Sequence, residues 1–145
     1  MGFQADLIAG VAQLLADAGI GEWSPDTAYT GDLPAIVARA MPASPDAAIM
    51  LATYGVSDDP TQSTSVIGLQ VQTRTTGADP RTTDDLADSI FDALQGLWGA
   101  TLSTGVSVVI AERRSSLSLG RDDLNRWVQS DNFYVTVHRA STNRH

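Results

Sequence analysis

The sequence predicts an α+β fold: a single mixed β-sheet of about five strands with two main helices packed on one face, in the order helix, three strands, helix, two strands. Three observations carry this. Two stretches repeat apolar residues every three or four positions, several others alternate every second position, and glycines and prolines separate them. A length of 145 residues suits one domain spanning 1–145.

The first helix is expected over 3–18, where Phe3, Leu7, Val11, Leu14, Leu15 and Ala18 form one stripe and Gly19 supplies the stop. Residues 20–34 hold two prolines, two glycines and two aromatics without a period, which reads as a connecting loop packed by Trp23 and Tyr29. Strands follow at 35–41 and 47–54 as a tight antiparallel pair, with the linker "PASPD" keeping Pro42 and Pro45 out of the ladder. After an exposed turn, "GVSDDPTQS", alternation resumes over 66–75. Ile67, Leu69, Val71 and Thr73 share the buried face there, and Gly68, Gln70, Gln72 and Arg74 share the outward, polar one.

The second helix begins near Thr82 or Thr83, with a threonine cap and Asp84 and Asp85 at the positive end of the dipole. Leu86, Ile90, Leu94 and Leu97 make its stripe, widened by Ala87, Phe91 and Trp98, before Gly96 and Gly99 end it. Two more strands are expected at 105–113 and 132–139, the latter with Phe133, Val135 and Val137 facing in. The passage through the second helix is long enough for a crossover, so the strands on either side of it are expected to be parallel. Residues 113–131 read as a long loop, well beyond the roughly 2 to 5 residues of an ordinary hairpin, and 140–145 as a flexible end.

Composition removes several kinds of chemistry. There is no cysteine, hence no disulfide, thiolate nucleophile or cysteine-ligated metal. All 9 basic residues are arginine, so lysine Schiff bases and phosphate-loop lysines are absent too. A net charge of −8 argues against gripping nucleic acid. No apolar run reaches the roughly 18 to 20 residues of a membrane span, and the start lacks a signal-type pattern, so the expected compartment is the cytoplasm.

No catalytic residue, metal site or cofactor is expected. His138 reads as an exposed strand position and His145 as a free end; neither spacing offers a nucleophile or an orienting carboxylate. The pairs Asp58–Asp59, Asp84–Asp85 and Asp122–Asp123 lack the pattern of a calcium loop and fall where turns and helix starts favour aspartate. The junction "RTTGADPR" sets two arginines beside a helix N-terminus, so an anion-binding domain or enzyme is the competing functional class; as a phosphate loop it is short of glycine. The acidic helix face of Asp84, Asp85, Asp88 and Asp92 reads as solvated. The 113–131 stretch mixes Leu117, Leu119, Leu124, Trp127 and Val128 with arginines, a composition that suits a protein interface, or else packs on its own domain.

"MPASPDAAIMLATYGVSDDP" and "IGLQVQTRTTGADPRTTDDLADSIFDALQGL" resemble the minor capsid or tail terminator proteins of tailed bacteriophages, especially those of actinobacterial hosts. The Pro-x-x-Pro-Asp entry to a strand, the Tyr-Gly-Val turn, the Gln-x-Gln-x-Arg strand and the Ala-Asp-x-Ile-Phe-Asp-Ala-Leu helix carry the resemblance, which covers 3–139. It implies a structural virion protein, assembled in the host cytoplasm, whose copies form a ring of about six at the head-proximal end of the tail tube. Implied partners are the chain itself, the tail tube protein and the head-tail connector or stopper, with genomic DNA passing through the lumen and no membrane involved. A head-completion or stopper protein of the same neck is the alternative. Candidate contact residues are Arg74, Asp79, Arg81, Arg113, Arg114, Arg121, Asp122, Arg126 and Trp127, arginine being suited to holding a neighbour's carboxylate bidentately.

Overall fold

The computed structural model describes residues 2–145. Helix α1, Phe3–Asp17, buries Leu7, Ile8, Val11, Ala12 and Leu15 along one stripe. The chain leaves it through Gly19, whose φ of 76° suits a residue without a Cβ, while the N–H groups of Gly19 and Ile20 donate to Ala16 O and Leu15 O. The remaining elements are β1 (Glu22–Trp23), β2 (Ala35–Ala38), β3 (Ala48–Asp58), β4 (Thr64–Thr75), α2 (Arg81–Leu94), β5 (Trp98–Thr101), β6 (Ser107–Arg121) and β7 (Trp127–His138). All strands join one mixed sheet in the order β1-β2-β3-β4-β7-β6-β5.

The α+β class and both helices are as expected, but the sheet has seven strands rather than five. The two additional ones, β1 and β5, have 2 and 4 residues, too short to display a period. β1 lies inside the segment read as a connecting loop. Trp23 there does pack against the core, and the Tyr29 hydroxyl donates to Ile36 O.

Two pairings depart from expectation. β2 and β3 run parallel, from Ala35↔Ala48 to Ala38↔Leu51, not as an antiparallel hairpin. A parallel return ordinarily needs a dozen or more residues because the chain must travel back along a full strand. β2 has only 4 residues, so the stretch 39–47 is long enough. Arg39, at φ 69°, reverses the chain and donates its N–H to Leu51 O. Secondly, the two strands expected on either side of α2 correspond to β4 and β6; these do run in the same sense, yet β5 intervenes in the chain, and β7 lies between them in the sheet and is antiparallel to both.

The largest difference concerns 113–131. This stretch is not a loop: β6 continues to Arg121, β7 begins at Trp127, and a short turn joins them. The Asp122 carboxylate holds that turn by accepting the N–H groups of Leu124 at 3.0 Å and Arg126 at 2.9 Å. β7 is paired with β4 along its whole length, from Thr64↔His138 to Thr75↔Trp127. β6 carries register shifts at Val108/Ile110, Arg113/Ser115 and Ser118/Gly120. Each bulge inverts the inward–outward alternation, so a strand of 15 residues presents no sustained period.

The core lies between the helices and one sheet face. Ile67, Leu69, Val71 and Thr73 of β4 and Phe133, Val135 and Val137 of β7 are buried there, as expected. From α2 come Ala87, Ile90 and Leu94, with Leu86 and Phe91 half-buried, whereas Trp98 is 76% exposed. Trp98 belongs to β5 and pairs with Ile110 on the opposite, open face, because the helix has already ended at Leu94. No threonine caps α2. Pro80 occupies the cap position, Asp79 Oδ1 accepts the Arg81 N–H at 3.0 Å, and the Thr83 hydroxyl is turned inward onto that of Thr75. Within 140–145, Arg144 donates to Ser65 Oγ at 2.8 Å and Arg139 O at 2.7 Å, and Ser141 and Arg144 form an isolated bridge.

α1 approaches the segment after β5 so closely that a Cβ on Gly10 would lie 2.8 Å from Leu102 Cβ and 2.9 Å from Thr104 Oγ1. Gly10→Ala gains about 1 kcal/mol of helix propensity but incurs about 1–3 kcal/mol of overpacking. The expected result is a net loss of about 1 kcal/mol, seen as a lower urea midpoint at unchanged slope.

Candidate assembly surface

The candidate contact residues fall into three places. At the β6–β7 turn, Arg126 is 8% exposed and its guanidinium donates three ways: Nε to Asp122 Oδ2 at 2.8 Å, Nη1 to Ala43 O at 2.8 Å, and Nη1 to Asp46 Oδ1 at 3.3 Å. Arg74, on the adjoining part of β4, was expected to point outward. It is 4% exposed, because the 42–47 segment folds over it, and it donates Nε to Asp46 O at 2.7 Å and Nη2 to Pro45 O at 2.9 Å. Two arginines thus pin one irregular segment by satisfying its carbonyls. Burial, followed by the charge of Arg126, lowers the Arg74 pKa from its usual value. Asp122 is held below the ordinary carboxylate range, chiefly by the Arg126 N–H and further by its guanidinium. Asp46 is the member of this group that the sequence reading missed, although it stands in the "PASPD" linker.

At the entry to α2, Asp79 and Arg81 form a local pair, with Nη2 to Oδ2 at 2.8 Å and side chains 47% and 82% exposed. Such a pair contributes little to stability. The guanidinium and then the N–H of Arg81 lower the Asp79 pKa. The arginine is occupied by its own neighbour, and the charge of Asp85 lies close by as well.

The third place is the wing formed by β6 and the adjoining half of β7. Arg113 stacks over Phe91 at 4.3 Å, Arg114 over Tyr134 at 5.0 Å and Arg121 over Trp127 at 4.6 Å. Arg114 also pairs with Glu112 at 2.8 Å. Stacking holds these side chains flat, and a stacked guanidinium can still meet a carboxylate in its own plane, as Arg114 does with Glu112. Leu117, Leu119 and Leu124 are 62%, 48% and 67% exposed on the same wing. Below the helices, Ser116 Oγ donates to the buried Asp131 carboxylate at 2.5 Å, and Gln129 Nε2 donates to it at 3.1 Å.

Acidic pairs behave as turn and helix-surface residues. Asp59 Oδ1 accepts the hydroxyl of Thr61 at 2.7 Å and its N–H at 2.8 Å. Asp84, Asp85, Asp88 and Asp92 are all exposed on α2, and His138 is exposed at the end of β7. Among the described residues no three His, Cys, Asp or Glu side chains are grouped to hold a metal ion.

The sheet has two open edges. β2 pairs with β3 only as far as Leu51, leaving 53–58 without a strand partner on that side. β5 pairs with β6 only as far as Ile110. After Gly96 and Leu97 bond Ala111, and the Gln95 side chain accepts the Arg113 N–H, the stretch 114–121 is open as well.

The family model for bacteriophage tail terminator protein matches residues 14–139. No curated protein matches the sequence. Among solved structures, a chain from the virion of a native gene transfer agent particle aligns over 95% of this chain and 99% of its own, with a TM-score of 0.61 and 20% sequence identity. At that identity the likeness is one of fold.

Proposed function

The chain belongs to the bacteriophage tail terminator family, structural proteins of the phage tail, and from that premise we propose that it forms a ring, of about six copies, capping the head-proximal end of the tail tube. The ring stops tube growth, meets the head connector, and lets DNA pass through its lumen. Its copies assemble in the host cytoplasm and remain in the virion. The observation that carries this reading is the family match across 14–139, which takes in all seven strands of the sheet and α2 and leaves out only most of α1 and the residues after 139.

Two physical features support it. A net charge of −8 lets DNA slide past without being gripped. The wing offers exposed leucines and stacked arginines together, the kind of surface on which protein contacts concentrate their energy.

Mixing the purified protein with tail tube protein tests the proposal. Tubes of limited length, each with a ring at one end in negative stain, are the expected result. A protein that stays monomeric and leaves tube length unchanged overturns it.

A further inference from the structure

We propose that the two open edges are the two halves of one copy-to-copy joint: the 114–121 edge of β6 adds to the 53–58 edge of β3 on the next copy. The inference rests on the ring reading and specifies how the ring is joined. Four observations carry it.

The sense of the strands is right. β3 and β4, β4 and β7, and β7 and β6 are each antiparallel, so β6 of one copy meets β3 of the next in antiparallel fashion, the stronger mode of pairing. The open stretches are also comparable in length, 53–58 against 114–121. β2 blocks β3 up to Leu51 and β5 blocks β6 up to Ile110, so each open stretch begins where a short strand stops. A neighbour's β6 therefore runs toward the end of β2, and a neighbour's β3 toward the Gln95–Leu97 segment that bonds Ala111 and Arg113, so the joint is made by the part of each edge that lies between those two stops.

Apolar surface is left on both edges. Val56 is 38% exposed on β3, beside Tyr54, which is 42% exposed and lies across Gly68 with its hydroxyl donating to Asn132 Oδ1, against Leu117 at 62% and Leu119 at 48% on β6. An edge that is long and apolar is a template for another strand. Finally, the charges complement each other. In an otherwise acidic protein, β6 carries Arg113 and Arg114, and the far end of β3 runs into Asp58 and Asp59. An antiparallel register with Ser57 opposite Ser115 sets those aspartates beside those arginines. Because β3 has its own bulge between Gly55 and Ser57, the same register brings Tyr54 opposite Leu117.

The absence of cysteine makes the test free of background. A variant carrying both Ser57→Cys and Ser115→Cys has its two thiols on opposite edges of one sheet, so a disulfide between them must join two copies. Both positions are exposed, and the single variants serve as folding controls. After assembly on tail tubes and oxidation, a ladder of covalent oligomers ending at the ring size is expected from the double variant, and none from either single variant. Rings that form without any ladder, in this pair and in Tyr54→Cys with Leu117→Cys, overturn the joint while leaving the ring intact. Amide protection at 114–121 that requires tube protein but no second copy would assign the edge to the tube instead, and overturns it as well. A protein that never forms rings removes both this inference and the reading beneath it.

Discussion

Arg126→Ala lowers the unfolding free energy by about 3 kcal/mol, expected as a melting temperature roughly 10 °C lower. The guanidinium is almost wholly buried and has three partners in two chain segments: Asp122 in the β6–β7 turn, and Ala43 O and the Asp46 carboxylate in the 42–47 segment. Removing it leaves a carbonyl and a carboxylate facing a void. Arg74→Ala releases the same 42–47 segment from its other side, at Asp46 O and Pro45 O. The two losses should not add, because either substitution alone frees the segment they share. A double-mutant cycle by urea denaturation measures the coupling; strict additivity would mean that the two arginines act independently.

Acid provides a second handle on the same group. Asp122 has a pKa below its unfolded value of about 3.9, first because of the Arg126 N–H and further because of its guanidinium. A depressed carboxylate contributes stability that is complete above the unfolded pKa and is lost as pH falls toward the folded one. Alanine keeps the N–H and removes the guanidinium. The gap between wild type and Arg126→Ala should therefore narrow as pH falls below about 4, and chemical denaturation at pH 7 and pH 3 would show whether it does.

Phe133→Ala is expected to cost about 4 kcal/mol and to leave the protein partly unfolded near its working temperature. Phe133 is 0% exposed at the centre of β7, with β4 on one side, β6 on the other and the helices above. The cavity it leaves has no flexible edge from which to collapse. Leu117→Ser on the neighbouring strand makes the instructive contrast. At 62% exposure it should alter stability by no more than about 0.5 kcal/mol while weakening ring assembly. Comparable unfolding curves together with lost capping would separate the surface that joins copies from the core that holds each one.

Most of the architecture was legible in the sequence wherever a face is buried. Both helices and the central strands declared themselves, since Ile67, Leu69 and Val71, then Phe133, Val135 and Val137, must alternate to reach the core. What was not legible lies where burial gives no instruction. β1 and β5 are too short to show a period, and β6 beyond Arg113 combines bulges with exposure on both faces, so "RSSLSLGR" looks like loop. The burial of Arg74 was hidden for a related reason: the segment that covers it is irregular, and its carbonyls carry no sequence signature. The interest of the 113–131 stretch was visible in its composition, but its being a sheet edge was not.

The offset between the two open edges has a geometric consequence. Ser115 is level with Asn132 and so with Gln70, while Ser57 is level with Val66. Pairing Ser57 with Ser115 therefore slides each sheet about four residues, or roughly 13 Å, along its neighbour. Each copy contributes β3, β4, β7 and β6 to the circumference, about 19 Å of strands. A closed wall can absorb that slip only if its strands lean about 35° from the axis, within the range of natural barrels. Six such copies would enclose a bore about 45 Å across between backbones, wide enough for a duplex. The slip between two edges would thus set the width of the passage.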